Sequence, residues 1–289
     1  MPKVIKLAEY AGFCYGVKRA VETVKKLKTN NPDRNICILG ELIHNSQVIE
    51  ELNGIGIRTI DEIPACGDGF CVVRSHGEAP EIFEKLNSVG FEVVDLTCPD
   101  VKKVQQKAVE LAKMGFYLVI IGKKTHPEVI AIKANAKLYG EKIIVTDDIN
   151  ELKTFEKELK AHKKIGVVVQ TTQTFAILDD FVRYLTTISK ELYIVNTICK
   201  STTMRQCETL KLAQESDLMI VVGSKKSANT THLAEISSEI TKTIHIETAN
   251  DLKNNLEAIK TFEKIGVTAG ASTPQNLIDE VIEVLNNLD

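Results

Sequence analysis

One pattern occurs three times along this chain, and it restricts the fold more than any other feature. Three segments run through apolar, strand-like residues into a cysteine: VIKLAEYAGFC at 4–14, FEVVDLTC at 91–98 and LYIVNTIC at 192–199. Each cysteine is followed by a helical stretch. In the second of these, Val101, Val104, Ala108 and Leu111 recur at helical spacing, and Pro99 suits a first turn. Next comes a short apolar strand ending in glycine: NICILG (35–40), YLVIIG (117–122) and LMIVVG (218–223). Polar loops follow, ELIHN, KKTHPE and SKKSANTTH, and then another helix. Each unit closes on a strand that runs into a small polar cluster, FCVVRSHG, KIGVVVQTT or KIGVTAGAS, before a last helix.

Continuously apolar strands alternating with amphipathic helices imply parallel sheets covered on both faces. The expected fold is α/β: three tandem αβ units with mostly parallel sheets and pseudo-threefold symmetry. The divisions fall at 14–97, 98–198 and 199–289. The third unit takes its closing strand from residues 1–13, because the strand leading into a cysteine follows the last helix of the preceding unit. Polar residues at the carboxyl ends of such strands lie where α/β proteins bind ligands.

Charge and hydropathy narrow the function classes. The chain has 289 residues and a formal net charge of −3, which argues against a nucleic-acid binder or a membrane-surface binder. No apolar run approaches the roughly 20 residues of a transmembrane helix. The start, MPKVIKLAEYAGFC, lacks a signal-peptide pattern, so a cytoplasmic location is expected.

Seven scattered cysteines in a reducing compartment read as metal-binding, catalytic or buried rather than disulfide-bonded. Cys14, Cys98 and Cys199 hold the same place in three repeats. At a helix start, each sulfur meets a partial positive charge that favours thiolate. Three thiolates on one axis make a soft metal site. Zinc completed by a histidine, or a [4Fe–4S] cluster with one open iron, both satisfy the pattern. Cys37, Cys71 and Cys207 read as structural. Cys66, close to Cys71, has no third ligand in a matching position.

His44, His76 and His126 fall in the strand-end loops with Glu128, Gln170, Thr171, Thr172, Ser227, Asn229 and Ser272. Together with helix-start N–H groups they can hold an anion. Glu128 is the one carboxylate among them, and in a site that excludes water it can deliver protons. Lys123, Lys124, Lys225 and Lys226 read as a solvated basic edge, and His162, His232 and His245 as structural.

Nine pieces in order, GFCYGVKRA, LGELIHN, VVRSHG, LTCPDV, HPE, QTTQT, TICKSTTMRQ, VVGSKKSANT and TAGAS, resemble the IspH/LytB family of 4-hydroxy-3-methylbut-2-enyl diphosphate reductases. The resemblance implies a trefoil of three αβ domains around a [4Fe–4S] cluster on Cys14, Cys98 and Cys199. It implies that the open iron takes the allylic hydroxyl of the substrate. The diphosphate is then held by His44, His76, His126, Ser227, Asn229 and Ser272. Glu128 supplies protons, supported by Thr171 and His126. The hydroxyl leaves as water, giving isopentenyl and dimethylallyl diphosphate in the last step of the non-mevalonate isoprenoid pathway. The electron donor implied is a ferredoxin or flavodoxin.

Two positions depart from the family pattern. Ala228 stands where a second serine is common, and Lys200, Ser201 and Thr202 stand where x-Ala-Thr is common. Two other readings remain open to the sequence: a cluster enzyme eliminating water without net electron transfer, and a zinc-stabilised anion-binding module.

Overall fold

The computed structural model describes residues 3–288. The first stretch runs β1 (Val4–Leu7), α1 (Tyr15–Asn30), β2 (Ile36–Leu39), α2 (Ser46–Gly54), β3 (Ile57–Ile60), β4 (Phe70–Val73), α3 (Pro80–Ser88) and β5 (Glu92–Asp95). The second runs α4 (Pro99–Lys113), β6 (Tyr117–Ile121), α5 (Pro127–Lys137), β7 (Ile143–Thr146), α6 (Ile149–Thr154), α7 (Glu156–His162), β8 (Lys164–Val169), α8 (Phe175–Ile188) and β9 (Glu191–Ile194). The third runs α9 (Lys200–Glu215), β10 (Leu218–Val222), α10 (Ala228–Ser238), β11 (Lys242–Ile246), a 3₁₀ turn (Ala249–Asn255), α11 (Leu256–Ile259), β12 (Lys264–Ala269) and α12 (Gln275–Asn286).

These strands form three four-stranded sheets of one topology. Their orders are β3-β2-β4-β5, β7-β6-β8-β9 and β11-β10-β12-β1, and every pairing is parallel. The central strands are the apolar runs visible in the sequence. β6 and β10 are buried at every residue, as strands covered on both faces must be. β1 pairs with β12 from Val4↔Lys264 to Leu7↔Val267, so the third sheet takes its edge from the start of the chain.

The chain forms two compact units. One comprises Met1–Arg19, Ile43–Glu51 and Lys200–Asp289 and contains the third sheet; the other comprises Ala20–Leu42 and Leu52–Cys199 and contains the first two. In the former, Ile220, Val222, Ile265 and Val267 pack against Ile278, Val281 and Leu285 of α12. In the latter, β6 and β8 bury Val119, Ile121, Val167 and Val169 beneath Phe181 and Leu185 of α8. On the opposite face Leu118 and Ile120 meet Val104, Ala108 and Leu111 of α4. The spacing Val104, Ala108, Leu111 is the helical stripe read from the sequence.

The structure adds two things to the sequence reading. An edge strand, β3, β7 or β11, lies between each glycine loop and the closing strand. The strands leading to the cysteines also stop short of them: β1 ends at Leu7, β5 at Asp95 and β9 at Ile194. After β1 the chain leaves the sheet because the Glu208 carboxylate accepts from the N–H groups of Glu9 (2.6 Å) and Tyr10 (2.9 Å).

Candidate functional site

Each cysteine sits at a helix start, held by the same backbone bond. Cys14 N–H donates to the Ala271 carbonyl at 3.1 Å, Cys98 N–H to Ser75 at 2.9 Å and Cys199 N–H to Thr171 at 3.0 Å. The acceptor stands two residues beyond the end of β12, β4 or β8. In each repeat it lies inside a tight turn closed by a second bond: Thr273 N–H to Gly270, Gly77 N–H to Arg74 and Gln173 N–H to Gln170, all at 3.1 Å. The three tethers place the three cysteines equivalently in their own repeats. All three thiols are half-buried. The Cys14 sulfur accepts from Val17 N–H at 3.4 Å, so it faces the positive end of α1. Half-buried thiols at helix starts are a donor set for a soft metal or an iron–sulfur cluster.

The helices after the glycine loops also begin alike. Their starts are capped by side chains: Asn45 Oδ1 accepts from Val48 N–H at 3.0 Å, His126 Nδ1 from Glu128 N–H at 3.2 Å, and Ser227 Oγ from Thr230 N–H at 3.4 Å. The cap of the first repeat is therefore Asn45, one residue past His44, and His76 belongs to the other turn. The three histidines, all in strand-end loops, do not occupy equivalent positions in the repeats.

In the unit holding the first two sheets, Glu128 is the second residue of α5 and is 1% exposed. Its Oε1 accepts from Thr171 N–H and its Oε2 from the Thr171 hydroxyl, both at 2.7 Å. Burial pushes its carboxyl up to about 7, although both Thr171 bonds favour the charged form. Thr171 thus faces two ways: its N–H and hydroxyl hold the acid, and its carbonyl holds Cys199. Because His126 accepts at Nδ1, its proton lies on Nε2, a donor for an anion. The His76 ring meets His126 edge-on, with centroids 5.4 Å apart. The Gln170 amide accepts from Lys123 N–H at 3.1 Å and donates to the Thr172 hydroxyl at 2.9 Å.

In the other unit, Ser272 donates to the His44 carbonyl at 3.2 Å. Asn229, the second residue of α10, is 3% exposed. Neither its Nδ2 nor its Oδ1 has a hydrogen-bond partner among the described residues. A buried amide without partners costs stability unless a ligand meets it.

The residues set aside in the sequence fall elsewhere. Cys37 and Cys71 are neighbours on β2 and β4, and Cys66 and Cys207 are exposed. Lys124 pairs with Glu151. Asp95 and Asn196, three residues before Cys98 and Cys199 and outside the sequence-based candidates, shape the cysteine loops through their own side chains. An Asp or Asn at a fixed offset from two of the cysteines was the available signal.

Residues 5–286 match the LytB protein family. The 4-hydroxy-3-methylbut-2-enyl diphosphate reductase of Geobacter sulfurreducens is 40% identical over 286 residues, covering 99% of this chain and 98% of that one. The same-named protein of Aquifex aeolicus is 37% identical over 283 residues, covering 96% and 94%. A solved structure of (E)-4-hydroxy-3-methyl-but-2-enyl diphosphate reductase, described as the terminal enzyme of the non-mevalonate pathway, is 37% identical. It superposes with a TM-score of 0.71 over 97% of this chain and 98% of that one. The Plasmodium falciparum E-1-hydroxy-2-methyl-but-2-enyl-4-diphosphate reductase, 28% identical, superposes with a TM-score of 0.90 over 99% and 89%.

Proposed function

This chain belongs to the LytB family, and from that premise we propose that it reduces 4-hydroxy-3-methylbut-2-enyl diphosphate to isopentenyl and dimethylallyl diphosphate. The observation that carries the reading at the site is the Glu128–Thr171 pair: a fully buried carboxyl, poised near neutrality, bonded to the residue whose carbonyl tethers a cysteine. Cys14, Cys98 and Cys199 hold a [4Fe–4S] cluster. The residues fit it: three half-buried soft donors, each at a helix start and each fixed by an equivalent backbone bond. When bound, the cluster supplies single electrons and a Lewis-acidic iron.

The protein's own residues do the rest. The reaction takes two electrons and two protons and releases the hydroxyl as water. With its carboxyl pushed up to about 7, Glu128 is protonated in roughly half of the molecules at neutral pH, where an exposed glutamate has lost its proton. Its Oε2 lies 2.7 Å from the Thr171 hydroxyl; when Glu128 is protonated, Oε2–H donates across this contact and frees the hydroxyl proton to pass on. His126 fixes the first turn of α5, its Nδ1 accepting from Glu128 N–H. The diphosphate is held by His44, His76, His126, Ser227, Asn229 and Ser272. Asn229 has both amide atoms available for it. These contacts lie away from the C–O bond that breaks, so their binding energy orients the reacting end.

In this reading residues 14–97, 98–198 and 199–289 with 1–13 are three αβ domains, supported by the common strand order. The protein works in the cytoplasm. No described helix is long and apolar enough to cross a membrane. A ferredoxin or flavodoxin donates the electrons. The test is anaerobic spectroscopy and turnover of the purified chain with a reduced dye and the hydroxylated diphosphate. A brown protein that oxidises the dye and forms both products is expected. A colourless protein with stoichiometric zinc sinks the proposal, and product formed without dye consumption replaces reduction by elimination.

A further inference from the structure

The three cysteine loops are not held alike. The Asp95 carboxylate accepts from Thr97 N–H at 2.9 Å and from the Thr97 hydroxyl at 2.5 Å. Asn196 Oδ1 accepts from Ile198 N–H at 3.1 Å. Each closes a side-chain turn that fixes the backbone entering Cys98 or Cys199. The matching position before Cys14 is Ala11, which has no side-chain acceptor.

Here a long side chain arrives from another element. Arg205, on the second turn of α9, is 5% exposed. Its Nη2 donates to the Gly12 carbonyl at 2.5 Å. Its Nη1 donates to the Ser201 carbonyl at 3.3 Å and to the Ser201 hydroxyl. Gly12 has φ +90°, and a Cβ there would lie 3.1 Å from Ile278 Cδ1 and 3.4 Å from the Thr273 carbonyl. The loop is therefore pressed against α12 on one side, and the guanidinium takes the carbonyl on the other. Ser201, one of the departures from the family pattern, adds a hydroxyl that steadies the arginine.

We infer that Arg205 is the positioning residue of Cys14, doing from α9 what Asp95 and Asn196 do locally for the other two cysteines, with Ser201 aiming it. Its bearing on the cluster rests on the proposed function; the anchor itself does not. A guanidinium differs from a side-chain turn in its reach and its several donors, so one residue ties the Cys14 loop to α9.

The test is amide hydrogen exchange on the metal-free full-length chain, comparing Arg205→Met and Ser201→Ala with the parent. In Arg205→Met the peptide containing Gly12 and Cys14 exchanges about tenfold faster, while the peptide containing Thr97 and Cys98 is unchanged. Ser201→Ala moves the same peptide in the same direction by less. After anaerobic cluster loading, Arg205→Met loses iron to a chelator about tenfold faster. No change at Cys14, or an equal increase at Cys98, overturns the inference. If Arg205→Met does not fold, the Ser201→Ala comparison decides by the same criterion. A parent chain that takes up no iron overturns the cofactor reading instead, while the exchange result still judges the anchor.

Discussion

The starts of α5 and α10 are the same site built twice, with opposite polar accounting. Both helices follow a glycine loop and are capped by a side chain, His126 or Ser227, and both carry a buried polar residue at their second position. At α5 that residue is Glu128, and the turn beyond β8 offers it the N–H and hydroxyl of Thr171. At α10 it is Asn229, and the matching turn beyond β12 has Ala271, with no hydroxyl to offer. Glu128 is thus completed by the protein, whereas neither amide atom of Asn229 has a partner among the described residues; under the proposed function the diphosphate meets it. A polar group that the fold satisfies can store a proton reproducibly; one that it leaves open gains stability only from what binds.

The sharpest way to break this contrast is Glu128→Gln. Turnover should fall by roughly 10²- to 10⁴-fold, the usual contribution of a positioned acid, while cluster absorbance and substrate affinity persist. Normal turnover would remove Glu128 as the proton source.

Titration of the same residue gives the next largest effect. Its folded carboxyl, near 7, lies above its ordinary 4.5, so the folded state holds the proton more tightly than the unfolded one. The stabilisation is complete below pH 4.5 and fades as pH rises through 7, by an amount of order 3 kcal/mol. Denaturant melts between pH 5 and 8 should show this slope in the parent and a flatter one in Glu128→Gln. Turnover should decline above pH 7 over the alkaline side of the same titration.

Asn229→Ala tests the open half. Losing one hydrogen bond to a charged group, worth about 1.5–3 kcal/mol, should raise KM roughly 10- to 150-fold with kcat nearly unchanged. The ligand-free protein should melt no lower than the parent, because the removed amide had no partner. A clear loss of stability would show that Asn229 is structural after all. Smallest is Ala228→Ser, beside it on α10: one added hydroxyl at the diphosphate should lower KM by about threefold, within the value of one neutral hydrogen bond.

Much of this was legible in the sequence, and what was not has physical reasons. β6 and β10 were readable because strands buried on both faces must be apolar throughout. The edge strands β3 and β11 were not: IRTI and KTIHI mix polar and apolar residues, as one-sided burial allows. Cys14, Cys98 and Cys199 could be chosen by repetition alone. The N–H bonds that hold them could not, because their acceptors are backbone carbonyls, which any residue supplies. Glu128 could be singled out as the one carboxylate of the strand-end loops, but its burial could not be read from them. Only its place behind the His126 cap, against Thr171, shows it buried. The Ala271–Thr171 difference was printed in the sequence, but its meaning needed the two turns superposed.

The pairing of β1 with β12 also sets a timetable. Residue 4 leaves the ribosome long before its partner, residue 264. The carbonyl that tethers Cys14 is later still, at residue 271. Contacts so remote in sequence form slowly, and this pairing must await the synthesis of residue 264. Cys98 and Cys199 can be tethered once residues 75 and 171 have folded, both behind them on the growing chain. Of the three thiols, the first to be synthesised is the last that can be set in place.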